Sequence, residues 1–176
     1  TRVDIPVLSL GNKGLCYLEL TCRTANVDFH SSSGQIYENA AWRIIWALAS
    51  MKDENENVLV DGFYDDVLDL TEVENALVEK IKPYDGADRV KKFELRKFLL
   101  DLEDSQLPRR HLTNPTFNVA GFDAGYTGEG VKTIVSGRGR AKIDCRLVPN
   151  QEPKKIRDCV QKHLIPSLLF STLDPP

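Results

Sequence analysis

GNKGLCYLELTCRT, residues 11–24, alternates apolar and polar side chains: Cys16, Leu18, Leu20 and Cys22 fall on one side, Tyr17, Glu19 and Thr21 on the other. A period of two marks a strand with one buried face, and the Gly-Asn-Lys-Gly turn signal sets where it begins. Such a strand needs a cover, and the next periodic segment supplies one. In 37–51, Tyr37, Ala41, Ile44, Ile45 and Leu48 recur at helical spacing, and the polar run KDENEN ends the helix. Between them 27–34 reads as a loop, with Ser32 and Gln35 spaced as a capping box.

Further along, TEVENALVEKIK opens with Thr71 and Glu74 at capping spacing and stops at Pro83, and DRVKKFELRKFLLDLE repeats an apolar helix with a charged face. These two predicted helices form an insertion over about 62–113. Strand character returns at PTFNVAGF, crosses the glycine-rich GYTGEG, and continues in AKIDCRLV, where Ile143, Cys145 and Leu147 share a face. A last helix runs from Glu152 to about Leu164 before Pro166, and SLLFST begins a short strand. The order strand, helix, insertion, two strands, helix, strand predicts an α+β, two-layer sandwich: a four-stranded antiparallel sheet with helices on one face, ferredoxin-like, in a single domain over 1–176.

Composition narrows the partners. With 23 Lys and Arg against 26 Asp and Glu, the chain has no basic footprint for a phosphate backbone, so nucleic acid is not an expected partner. No apolar run reaches the ~18 residues of a membrane span, and TRVDIPVLSL lacks the charged head and apolar core of a leader. A cytoplasmic or already processed protein is expected. Cys16, Cys22, Cys145 and Cys159 are too irregularly spaced for a thiolate zinc site and read as reduced small hydrophobes. The histidines in RRHLTN and QKHLIP have no nearby acid to complete a metal pair, so no metal site is expected in this chain.

The residues alone leave several alternatives open. His30 stands at a loop tip, where a histidine is either a solvated turn residue or a functional one. Arg146 alternates with apolar neighbours, as an exposed sheet-face arginine beside an acid would. Asn39 reads as a polar residue at a helix cap. Gly121, Gly125, Gly128 and Gly130 read as turn residues and not a phosphate loop. Trp42 and Trp46, at i,i+4, are expected to pack within the chain. Asp65 and Asp66 read as a solvated acidic surface.

Five separated segments, GNKGLCYLEL, VDFHSSSGQIYENA, DGFYDDV, NPTFNVAGFDAGYTGEGVKTIV and CRLVPNQEP, together resemble the lid or dimerisation domain of the co-catalytic zinc exopeptidases. That family includes aminoacylase, carboxypeptidase G, succinyl-diaminopimelate desuccinylase and the carnosinase-like dipeptidases. DGFYDDV and the helical insertion resemble the dipeptidase branch. The resemblance implies that two Zn (or Mn) ions, their ligands and a glutamate base lie in a catalytic domain absent from this chain, which alone is expected to be inactive. It implies a homodimer formed through the edge strand and a helix of the sandwich. His30, in D-x-H-S, would then reach into the partner's active site and hold the oxyanion; Arg146 would bind the substrate's terminal carboxylate, and Thr133 would hydrogen-bond the substrate near the same end. Ser136 stands where the family usually has proline. The substrate expected is a dipeptide; the alternatives are an N-acyl amino acid, as for an aminoacylase or carboxypeptidase, or no chemistry at all, as for an assembly module.

Overall fold

The computed structural model describes residues 11–81 and 86–164, and the backbone of 170–173. Strand β1 (Gly14–Arg23) buries Cys16, Leu18, Leu20 and Cys22, as their alternation predicts. It pairs antiparallel with β5 (Arg138–Leu147), whose Ala141, Ile143, Cys145 and Leu147 complete the apolar face. With β3 (Asn118–Ala124) and β6 (Phe170–Leu173) the order is β3-β5-β1-β6, antiparallel throughout. Helices α1 (Ala40–Met51) and α5 (Pro153–Leu164) lie against the apolar face. Each strand-helix-strand unit leaves room for one strand between its own two: β5 between β1 and β3, β1 between β5 and β6. The result is the expected two-layer, ferredoxin-like sandwich. The other sheet face is polar, with Arg140 reaching Asp123 at 3.4 Å and Glu19 at 3.9 Å.

Burial beside Cys16 and Asp144 raises the Cys145 thiol well above its ordinary pKa, desolvation being the larger cause. None of the four cysteines is in a disulfide.

Several expectations are corrected. First, α1 starts later than the Ser32–Gln35 spacing predicts. Ser31–Ser33 is a 3-10 turn, and the Asn39 side chain caps α1 by accepting from the Ala41 N–H at 2.9 Å. The buried stripe is accordingly Ala40, Ile44, Ala47 and Met51, while Tyr37 and Ile45 turn outward. The two alanines let the helix approach the sheet closely, so Ile44 Cδ1 lies 3.1 Å from where a Cβ on Gly139 would stand.

Second, Trp42 and Trp46 do not pack inside. They stack on each other with centroids 5.7 Å apart and stay 53% and 54% exposed.

Third, the described residues of the insertion hold three short α-helices, α2 (Glu72–Glu79), α3 (Gly86–Phe93) and α4 (Leu107–Thr113). The Thr71–Glu74 capping box forms as expected. The second expected helix stops at Phe93, because Glu94, Leu100 and Asp101 take left-handed φ of 50°, 52° and 53°. The stops expected at Pro83 and Pro166 lie outside the described residues. Gly125 and Gly130, with φ of 80° and 82°, are turn residues as read, whereas Gly121 is not one: it lies inside β3, paired with Lys142 beside a break in register.

Candidate functional site

A second, small sheet hangs from one end of the main one. β2 (Phe29–His30) pairs with β4 (Ile134–Val135), placing His30 opposite Ile134. The ribbon is short, so its hold on the body comes from side chains and turns. The Asp28 carboxylate accepts from the Gly137 N–H at 3.1 Å, and the Gly137 carbonyl accepts from the Thr24 N–H at 3.0 Å. Ser136 is buried; its hydroxyl donates to the Arg138 carbonyl at 2.7 Å, and its own carbonyl accepts from the first N–H of α1 at 2.9 Å. Hydrogen bonds thus hold this turn where the family resemblance leads one to expect proline.

A Cβ at Gly137 would stand 2.6 Å from the Val27 carbonyl oxygen, which is backbone and cannot swing aside. Gly137→Ala should therefore cost about 1–3 kcal/mol as overpacking. A lowered denaturation midpoint with an unchanged m-value checks this; an unshifted midpoint contradicts it.

His30 Nδ1 accepts from the Ser32 N–H at 3.2 Å and lies 2.9 Å from the Ser32 hydroxyl. With Nδ1 used as an acceptor, the ring proton of the neutral imidazole sits on Nε2. That nitrogen faces Thr133 Oγ1 at 3.5 Å from an exposed position, an N–H available to a negative charge brought from outside. The structure therefore brings His30 and Thr133 together.

Arg146 it places elsewhere. The ribbon adjoins the Arg138 end of β5, and Arg146 lies at the other end, roughly 25 Å along the strand at about 3.3 Å per residue. Its backbone is held by Thr116, which accepts from the Arg146 N–H at 3.0 Å and donates to the Arg146 carbonyl at 2.9 Å. Its guanidinium is about half exposed, with Nε 3.9 Å from Asp144. A contact that long at the surface holds the arginine only weakly.

Arg146 forms part of the wall of a cavity of about 590 Å³ between the sheet end and the insertion. Sequence patterning gave no sign of this cavity, because its wall is built from segments far apart in the chain: Lys13 ahead of β1, Arg110 and His111 on α4, Phe117 before β3. Asp65 and Asp66 face Lys155, at 3.9 and 2.8 Å, as a surface ion pair. Among the described residues no three His, Cys, Asp or Glu side chains gather where they would hold a metal, so the residues present do not fit a metal pair. None of the described helices is long and apolar enough to cross a membrane.

The family model for the peptidase dimerisation domain matches residues 10–168. The Beta-Ala-His dipeptidase of Rattus norvegicus is 30% identical over 161 residues, covering 90% of this chain and 32% of the rat protein. The Cys-Gly metallodipeptidase of Schizosaccharomyces pombe is 27% identical over 175 residues, covering 96% of this chain and 35% of its own length. Among solved structures, an M20 family metallo-carboxypeptidase from Sulfolobus solfataricus superposes with a TM-score of 0.87 at 39% identity, over 93% of this chain and 43% of that one. This chain therefore spans about a third of the curated relatives it matches.

Proposed function

The chain belongs to the peptidase dimerisation domain family, and on that premise we propose that it is the dimerisation and substrate-covering domain of a zinc-dependent dipeptidase. The observation that carries the reading is the separation of His30 and Thr133 from Arg146. A dipeptide spans at most about 7 Å when extended, so one copy of this domain cannot put both ends of its sheet on one substrate. Two copies can. Arg146 of one subunit holds the terminal carboxylate with its planar fork of donors, His30 of the other closes on the reacting carbonyl, and Thr133 beside it hydrogen-bonds the substrate toward the carboxylate end. His30 Nε2–H then donates to the oxygen on which negative charge grows, so it acts on the transition state more than on the bound substrate.

Two zinc or manganese ions, in this reading, belong to a catalytic domain outside the chain and supply the activation of water. The names of the relatives, metallodipeptidases and a metallo-carboxypeptidase, support that assignment. Cysteines that form no disulfide, three of them buried, fit a reducing, cytoplasmic setting.

The dimer surface that this reading requires has a counterpart in the fold. A bulge between Val119 and Gly121 shifts the register of β3, so Val119 lies opposite Ile143 and Phe122 opposite Ala141. Cross-strand partners share a face, so both point to the helix side, where they remain half-exposed. Alongside, α1 presents Trp42, Ile45 and Trp46, and its first turn reaches the end of β3 near Ala124. A bare strand edge beside an apolar helix flank fits a second copy of the chain, related by a two-fold axis.

The test is hydrolysis of a panel of dipeptides and their N-acetyl counterparts by the full polypeptide with zinc or manganese, and by this chain alone. Cleavage is expected only from the full polypeptide, only with metal, and only where the amino group is free. Preferential cleavage of the N-acetyl compounds overturns the dipeptidase assignment in favour of an acylase.

A further inference from the structure

The cavity beside Arg146 holds more cationic groups than the binding of one terminal carboxylate requires. Lys13, Lys52, Arg89, Arg110 and Arg146 line it against the carboxylates Glu56 and Asp144. Lys52 is paired with Glu56, and Lys13 donates to the Asn114 carbonyl at 2.5 Å. Arg110 differs. It is half-buried on α4, and among the described residues no carboxylate pairs with it. A partly desolvated guanidinium without a counter-charge is costly unless an anion from outside completes it. Phe98, Leu102 and Leu107 form an apolar part of the same wall, which strengthens any charge pairing made inside.

We propose that this cavity is a second anion subsite beside Arg146, taking the side-chain carboxylate of a substrate whose C-terminal residue is Glu or Asp. The proposal rests on the reading of Arg146 as the holder of the terminal carboxylate. Arg110 and Arg146 line one space from opposite elements, α4 and β5, so a residue carrying two carboxylates offers one to each. The insertion thereby becomes a specificity element, since α4 supplies the second cation.

The test compares kcat/KM for Ala-Glu and its neutral isostere Ala-Gln in the full-length, metal-loaded enzyme. A charge-assisted hydrogen bond to Arg110 should favour Ala-Glu by about 10–100-fold. Arg110→Ala should bring that ratio to near one, and Arg110→Lys should keep part of it. The ratio is internal to each variant, so a loss of folded protein does not change it. A ratio near one in the wild type, or one that survives Arg110→Ala, overturns the subsite. Arg146→Ala tests the underlying reading separately, because it should depress both substrates. If neither peptide is cleaved, the dipeptidase reading fails, and calorimetric titration of glutarate into the same protein then judges the cavity. Binding that Arg110→Ala abolishes sustains an anion site; no binding in the wild type removes it.

Discussion

Mixing subunits that carry His30→Ala with subunits that carry Arg146→Ala should restore about a quarter of wild-type turnover, although each variant alone is severely impaired. The single-variant losses are set by chemistry. Removing one preorganised donor to an oxyanion costs about 10²–10³ in kcat, with metal content untouched. Removing the arginine would, on the proposed reading, strip the terminal carboxylate of its bidentate partner and lower kcat/KM. The rescue is set by geometry. With His30 on the ribbon that adjoins the Arg138 end of β5 and Arg146 at the other end, each complete site in the proposed dimer would take its arginine from one subunit and its histidine from the other. In a mixed dimer one site loses both groups and the other keeps both. Random exchange makes about half the dimers mixed, each with one working site of two. Turnover and subunit composition measured together check this. If both residues served the same site from the same subunit, mixing would rescue nothing, and the composite site would be abandoned.

How much of this was legible in the sequence follows from which interactions are local. The strands were readable because Cys16, Leu18, Leu20 and Cys22 alternate with polar side chains and bury as one face. The Thr71–Glu74 cap was readable because both partners sit within one turn. The phase of α1 was not. Its apolar residues occupy two flanks, and only the closeness of Gly139 and the small Ala40 and Ala47 decides which flank meets the sheet. Of the candidate site, the nearness of His30 and Thr133 depends on residues 103 positions apart, and no period or spacing encodes that. The cavity was invisible for the same reason: Lys13, Arg110 and Arg146 meet only once the insertion folds back on the sheet end.

The two tryptophans give the prediction that joins fold to function. Trp42→Asp combined with Trp46→Asp should yield a folded monomer whose turnover falls as far as that of His30→Ala. Both rings lie outside the core cluster and stand more than half exposed, so replacing them empties no internal space. Surface changes of that kind usually move stability by no more than about 0.5 kcal/mol, apart from the loss of the ring stacking itself. At a dimer interface the same change is severe, because each new carboxylate would be buried without a partner. Sedimentation should therefore show a monomer with native circular dichroism, and no histidine would arrive from a neighbour to complete the site. A dimer that survives the double change moves the interface elsewhere on the domain. A fully active monomer would be the more damaging outcome: it would mean that the length of β5 separating the His30 ribbon from Arg146 is bridged within one subunit, and that the histidine is not exchanged at all.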